Sequence, residues 1–442
     1  MAKILIVGGS LGGLFVANLL HRAGHEVRVF ERVAGSMDGR GAGIVTHPAL
    51  HAALIRAGLS AHEPLGVAVQ GRVVLARDGS TLQRLAMPQI LTSWSRLWAL
   101  LKDLLPLDCY VGGATLTSLS QTDTQTRAQF AIAGANSLST QANTGTHTET
   151  ADLLIGCDGI RSRARGMLAP TVNSAYAGYV AWRGVCDEAV LSQRTRNTLF
   201  DHFGFGMADA EQILGYPVAG AGNATHPGQR RYNYVWYRNA PAPTALAALM
   251  TDADGRHHPD GISPAQVSYQ HIAAMRQAAH AQLAPQWAEV LEKSAQPFLQ
   301  PIHDLVSEQI AFGRVALVGD AAFVARPHVG MGVTKAALDA CALADSLAAF
   351  GATPQALQHY QAQQLPFGHA IVQRSRELGA SMRSANADTD TDSDSDSDSD
   401  TDTDTDTASH RHTKDPHESI VDPHAHLRAR ALFAMQHTAV MA

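Results

Sequence analysis

The sequence predicts an α/β protein: a Rossmann-like domain on an open parallel sheet, interrupted by an inserted domain of mixed or antiparallel sheet. Three observations predict it. Residues 3–31 read strand, glycine loop, helix, strand. Two further buried-looking strands, 151–155 and 314–318, each run into a Gly and an Asp. Between them, residues 176–238 hold aromatic-rich runs that alternate with period two.

Taken in order, 3–7 is a short β-branched run suited to a strand, and 12–23 has helical apolar spacing after glycines at 8, 9, 12 and 13. Gly24 closes the helix, and 26–31 is the second strand. Residues 91–105 read as a helix because Trp94, Leu97, Trp98 and Leu101 fall on one face. The stretch 111–149, rich in Thr, Ser, Gln and Ala, predicts solvated hairpins leading into the strand at 151–155. Runs at 176–185, 198–207, 212–218 and 231–238 predict an antiparallel sheet. Helices are expected at 264–283 and 285–294, a buried strand at 314–318, and long helices at 332–350 and from 354 to about 384. The nucleotide-type domain therefore takes 1–170 and 300–385, with 66–95 assignable to either domain, and the inserted, substrate-binding domain takes 171–299.

The 442 residues, 45% apolar and 17% charged, are those of a folded soluble chain. Ten of the 40 acidic residues are the aspartates of a Thr/Ser-Asp repeat between 388 and 407, leaving 30 acids against 34 Lys and Arg elsewhere. That near-neutral body has no clustered basic face, which argues against nucleic acid as a partner. The repeat (386–409 with its flanks) carries like charges at every second residue and no hydrophobe, so it predicts a disordered spacer. It lacks the Gly turn and bidentate Glu of a calcium loop. The extension at 410–442 carries irregularly spaced histidines and reads as a polar tail; no metal site is expected. Cys109, Cys157, Cys186 and Cys341 are scattered, which fits a reducing cytoplasm. Glycines interrupt the apolar N-terminal run, against a signal peptide, and no apolar stretch is long enough to span a bilayer.

Three motifs carry chemistry. In Gly8-Gly9-Ser10-Leu11-Gly12-Gly13, Gly8 permits the tight turn, Gly13 lets helix and sheet pack closely, and the helix N-terminus offers N–H groups to a pyrophosphate. Ser10 stands where a middle glycine normally lets the backbone approach the phosphates, and its hydroxyl is a possible phosphate donor. Glu31, at the end of the second strand, is placed to accept from an adenosine ribose, favouring FAD or NAD. Asp158-Gly159 and Gly319-Asp320 each sit where a buried strand stops, so both carboxylates converge on the crevice beyond the strand ends. Either Gly-Asp alone is more often a turn or N-cap. Gly330-Met331-Gly332 then puts bare N–H groups at the start of a long helix, suited to negative charge.

With these motifs in this order, the chain resembles the FAD-dependent aromatic hydroxylases with the para-hydroxybenzoate hydroxylase fold over roughly residues 3–380. The segments at 39–44, 179–184, 233–239 and 319–328 are similar to the 2,6-dihydroxypyridine 3-monooxygenase branch of that family. The resemblance implies that Gly8, Ser10, Leu11, Gly12, Gly13, Glu31 and Arg32 hold the ADP half of FAD, with Arg40 and Arg96 near the phosphates and ribose. It implies that Asp158 and Asp320 complete the cofactor site, and that Pro327, Gly330, Met331, Gly332 and Val333 face the flavin ring. No second dinucleotide fingerprint occurs, so NADH or NADPH is expected as a transient co-substrate. The implied reaction uses O2, through a flavin C4a-hydroperoxide, to hydroxylate a small hydroxylated N-heteroaromatic or phenolic ring. A homodimer is compatible with it.

His202, Tyr216, Tyr234 and His328 are the candidates for deprotonating the ring hydroxyl: the first three lie on aromatic-rich strands, and His328 follows Pro327. Tyr232, Tyr234 and Trp236 share one face of a period-two strand, however, which is also what core residues do. The alternatives are another FAD oxidoreductase on the same fold, or a catalytically silent FAD-binding redox sensor. The W-x-W-x-x-I motif of tryptophan halogenases is absent.

Overall fold

The computed structural model describes residues 1–35, 37, 43–133, 145–208, 210–259 and 261–382. The acidic repeat, the His-rich extension and Arg40 lie outside the described residues. Strand Lys3–Val7 has β-branched and Leu side chains on both faces, and Ile4, Leu5 and Ile6 are fully buried, as a parallel strand sandwiched by helices requires. It pairs in parallel with Glu26–Glu31 on one side and Leu153–Gly156 on the other, so the strand order changes direction here. Leu153–Gly156 pairs in turn with Val315–Leu317.

Register decides the function of this sheet. Val7 lies opposite Phe30 and Gly156, and Gly156 opposite Leu317. The loops that follow, carrying Gly8, Asp158 and Gly319, therefore leave from one level at the carboxyl ends of the strands, where open α/β sheets bind ligands. The turn after Lys3–Val7 needs glycine twice. Gly8 has φ +105° and a Cβ on it would lie 2.4 Å from Cys157 O, and a Cβ on Gly13 would lie 1.9 Å from Gly8 O. Gly13 thus lets the helix Leu11–Arg22 close onto the strand, as its motif predicts.

The second sheet has eight strands in the order Phe298–Asp304, Ala175–Asp187, Arg231–Asn239, Glu211–Val218, His202–Ala208, Val67–Leu75, Thr81–Ser93 and Gly43–Val45. Neighbours are antiparallel except His202–Ala208 with Val67–Leu75, which run parallel. One face packs Trp182, Tyr232, Tyr234 and Trp236 against Trp287 of the helix Pro285–Lys293, forming a closed aromatic core. The other turns toward the first sheet. A three-stranded sheet, Ala114–Gln121, Thr126–Ile132 and Gly145–Ala151, supplies the hairpins expected between 111 and 149.

Three elements differ from the periodic reading. The helix expected from 91 begins at Trp94, because 81–93 is a strand and Ser93 Oγ caps the helix by accepting from Arg96 N at 3.2 Å. The run 198–207 divides into the helix Gln193–Leu199 and the strand His202–Ala208. Phe298–Asp304 is an unexpected edge strand of the second sheet, the place where a strand tolerates its Pro301. The chain consequently rejoins the first sheet only at Ala311. Among the described residues no helix is long and apolar enough to cross a membrane, and no cluster of His, Cys, Asp and Glu is set to hold a metal.

Candidate active site

A cavity of about 730 Å³ runs from the strand ends of the first sheet to the open face of the second. Gly8, Ser10, Leu11, Gly12, Glu31 and Arg32 line its first part. Asp158, Asp320, Pro327, Gly330, Gly332 and Val333 line its middle. Sequence-distant motifs are thus brought together, and the roles divide in ways their spacing does not reveal.

Glu31 accepts from Gly9 N at 2.7 Å through one oxygen and from Val33 N at 2.9 Å through the other. It is a tie that shapes the glycine loop as well as a wall of the cavity. Gly9 is held from its other side too, its carbonyl accepting from Trp98 Nε1 at 3.0 Å and Tyr110 OH at 3.3 Å. Asp158 accepts from Ser162 Oγ, from Arg163 N at 2.6 Å and from Ala164 N at 3.2 Å, so its carboxylate starts the short helix Arg163–Leu168. Burial raises its carboxyl above the usual range against the pull of those donors. Asp320 differs. It is open to the cavity and makes no hydrogen bond with a described residue, while desolvation by its surroundings raises its carboxyl, the charge of Lys335 opposing the rise and that of Asp339 adding to it.

Ser10 and Met331 begin the helices Leu11–Arg22 and Gly332–Phe350 without capping them through a side chain, and neither first turn holds an acid. Two helix N-termini with free N–H groups therefore open on one cavity, a setting for anions at both ends of an elongated ligand. A Cβ on Gly12 would meet only Ala336 Cβ, at 3.6 Å, and one on Gly332 would meet nothing within 4 Å, so room remains beside both termini. This arrangement fits FAD: the first N-terminus suits its diphosphate, Asp320 its polyol and the second N-terminus its ring. Three expected cofactor residues stand elsewhere. Gly13 packs against Gly8 behind the loop, Met331 is buried with Val329 and Ile371, and Arg96 binds Glu63 and Pro64 O instead of lining the cavity.

At the far end the cavity is walled by Phe203, Leu214, Tyr216, Val235 and Tyr237, with Arg183 and Arg326 as its charged members. Burial raises the hydroxyls of Tyr216 and Tyr237, and Arg183 is close enough to oppose both shifts. Arg183 holds Gln300 Oε1 at 2.6 Å through one guanidinium nitrogen, and Arg326 Nε donates to Asp304 at 2.8 Å. Of the four deprotonation candidates only Tyr216 lines this space. His202 is one residue out of phase with Phe203, so strand alternation sends it away. Tyr234 is in the closed aromatic core on the opposite face. His328 is buried behind the cavity wall, 2.8 Å from Tyr179 OH through Nε2 and in tilted ring contact with Tyr237, and burial, helped by Arg326, pushes its imidazole down to about 3. Of the strand Arg231–Asn239, Val235 and Tyr237 line the cavity, the alternate set to the more conspicuous Tyr232, Tyr234 and Trp236.

A family model described as FAD binding domain-like matches residues 176–304. The 2,6-dihydroxypyridine 3-monooxygenase of Paenarthrobacter nicotinovorans is 29% identical over 381 residues, covering 86% of this chain and 91% of that protein. The solved structure of 2,6-dihydroxypyridine-3-hydroxylase from Arthrobacter nicotinovorans superposes with a TM-score of 0.78 at 27% identity, covering 86% of this chain and 92% of the other. The fold is that of the FAD-dependent aromatic hydroxylases. Another relative, the 3-amino-4-hydroxybenzoate 2-monooxygenase of Streptomyces cremeus, is 26% identical and covers 85% of this chain and 86% of its own length. These two relatives are named for different rings, a dihydroxypyridine and an aminohydroxybenzoate.

Proposed function

We propose that the protein is an FAD-dependent monooxygenase that uses NADH or NADPH and O2 to hydroxylate a small, electron-rich hydroxylated aromatic or N-heteroaromatic ring of the 2,6-dihydroxypyridine type. The observation that carries the reading is one continuous cavity joining two uncapped helix N-termini and Asp320 to an aromatic compartment with Arg183 at its wall. When bound, FAD supplies hydride acceptance and oxygen activation, chemistry that no side chain offers.

The protein's share is to bind, orient and exclude water. Phe203, Leu214 and Val235 provide an apolar bed for a flat ring. Attack on oxygen requires the ring hydroxyl to be ionised, and the two histidines considered for that task do not reach the cavity. Tyr216 and Tyr237 keep their own protons, since burial raises both hydroxyls, and so serve as hydrogen-bond donors. Arg183 is left as the group that stabilises the anion: a fixed cation lowers the pKa of the bound hydroxyl, which then loses its proton to solvent on entry.

The reading is tested by incubating the FAD-loaded protein with NAD(P)H, O2 and 2,6-dihydroxypyridine, and identifying the product by mass. A product heavier by one oxygen atom supports it, whereas NAD(P)H consumption with hydrogen peroxide as the sole product contradicts the substrate class. Arg183→Met is expected to raise KM and shift the pH dependence of kcat/KM upward, with at least about a tenfold loss at neutral pH, the cost of a missing charge-assisted contact.

A further inference from the structure

Lys335 is fully buried, as is Asp339 four residues later on the helix Gly332–Phe350. Lysine is almost never buried completely, and an ion pair of this kind gives little stability over well-packed apolar residues. Its order is also wrong for the helix, since it sets a cation in the positive first turns. The pair has another use. Lys335 Nζ donates to Gly319 O at 2.9 Å and to Asp339 Oδ2 at 2.9 Å, and the same Asp339 oxygen accepts from Gly319 N at 3.0 Å. Both polar groups of one residue are thereby gripped, and that residue is held at φ +65°, in the left-handed region. The next residue is Asp320, whose carboxylate faces the cavity without a hydrogen-bond partner among the described residues.

We propose that Lys335 and Asp339 are positioning residues for FAD: they clamp Gly319 so that Asp320 is presented to the cofactor. The inference rests on the reading of the cavity as an FAD site. An apolar pair would pack this helix against the sheet but would leave the Gly319 N–H and C=O of a motif turn without these partners.

The test measures FAD dissociation constants by flavin fluorescence on cofactor-free protein, for the wild type, Lys335→Met, Asp320→Ala and the double variant. Each single substitution is expected to weaken FAD by about tenfold or more, the effect of one charge-assisted hydrogen bond. The double variant is expected to bind no worse than Asp320→Ala, because both act through one carboxylate. Losses that multiply, as general loosening of the fold would give, overturn the proposal, as does wild-type affinity in Lys335→Met. If Lys335→Met does not fold, Lys335→Met with Asp339→Asn removes both buried charges and keeps an oxygen for Gly319 N; it is held to the same two criteria. A wild type that binds no FAD refutes the cofactor reading itself and is distinguishable from failure of the clamp.

Discussion

His328 sits between Tyr179 and Tyr237 with its imidazole at about 3, against 6.5 for the free side chain. The unfolded chain takes up that proton below about pH 6.5 and the folded chain only near 3, so folding loses stability as pH falls between those values. The loss runs to about 1.4 kcal/mol per pH unit. His328→Gln removes it: between pH 7 and 4.5, urea unfolding of the wild type is expected to lose about 2–3 kcal/mol more than that of the variant. Equal losses would show that the imidazole titrates freely. At this scale the sequence told residue types well and directions poorly. Period two marked Tyr232, Tyr234 and Trp236 as one face, but only the fold says which face meets the cavity, and Arg183 stood inside a recognised segment without a signal that its side chain points inward.

The glycine loop shows how an element divides its labour. Gly12 and Gly13 are adjacent and alike in sequence, yet a Cβ at Gly12 has 3.6 Å of room and one at Gly13 has 1.9 Å. Gly13→Ala is expected to destabilise the FAD-free protein by about 1–3 kcal/mol through overpacking. Gly12→Ala is expected to leave the thermal midpoint of the FAD-free protein unchanged or slightly raised, and to weaken FAD binding by filling space beside the helix N-terminus. Calorimetry with and without FAD separates the two, and identical behaviour would contradict the assignment. Strands and helices of the first sheet were readable because the local pattern suffices, a continuous β-branched run in 3–7 and helical apolar spacing in 332–350. The hairpin of Val67–Leu75 and Thr81–Ser93 joins the second sheet through His202–Ala208, and the edge strand Phe298–Asp304 joins it through Ala175–Asp187; both pairings span more than a hundred residues, so no local pattern announces that placement. Asp158 was recognised as a motif residue, while which first-turn N–H groups of Arg163–Leu168 it accepts from, beside the N-cap Ser162, emerges only from geometry. That helix also reaches the third motif, through Arg165 Nη1 to Ala321 O at 2.9 Å, so the second and third motifs support each other.

Over the whole molecule, the cavity exists because two sheets face each other: the first contributes strand-end loops that fit a dinucleotide, the second an aromatic wall with a fixed cation. Among the described residues, the strands and helices that build it lie within 1–382. Truncation after Ser384, which removes the acidic repeat and the His-rich extension, is therefore expected to leave FAD affinity and turnover within about twofold of the full chain, a difference below 0.5 kcal/mol. Loss of flavin from the truncated protein would mean that the extension takes part in the site. The account as a whole turns on whether an aromatic ring in the second sheet's compartment governs redox chemistry at the first sheet's loops. Anaerobic stopped-flow absorbance of the FAD-loaded protein mixed with NADH or NADPH, with and without 2,6-dihydroxypyridine, reads this directly. Strong acceleration of flavin bleaching by the pyridine is the predicted result; bleaching at the same rate with and without it would contradict the assignment of that compartment to this class of ring.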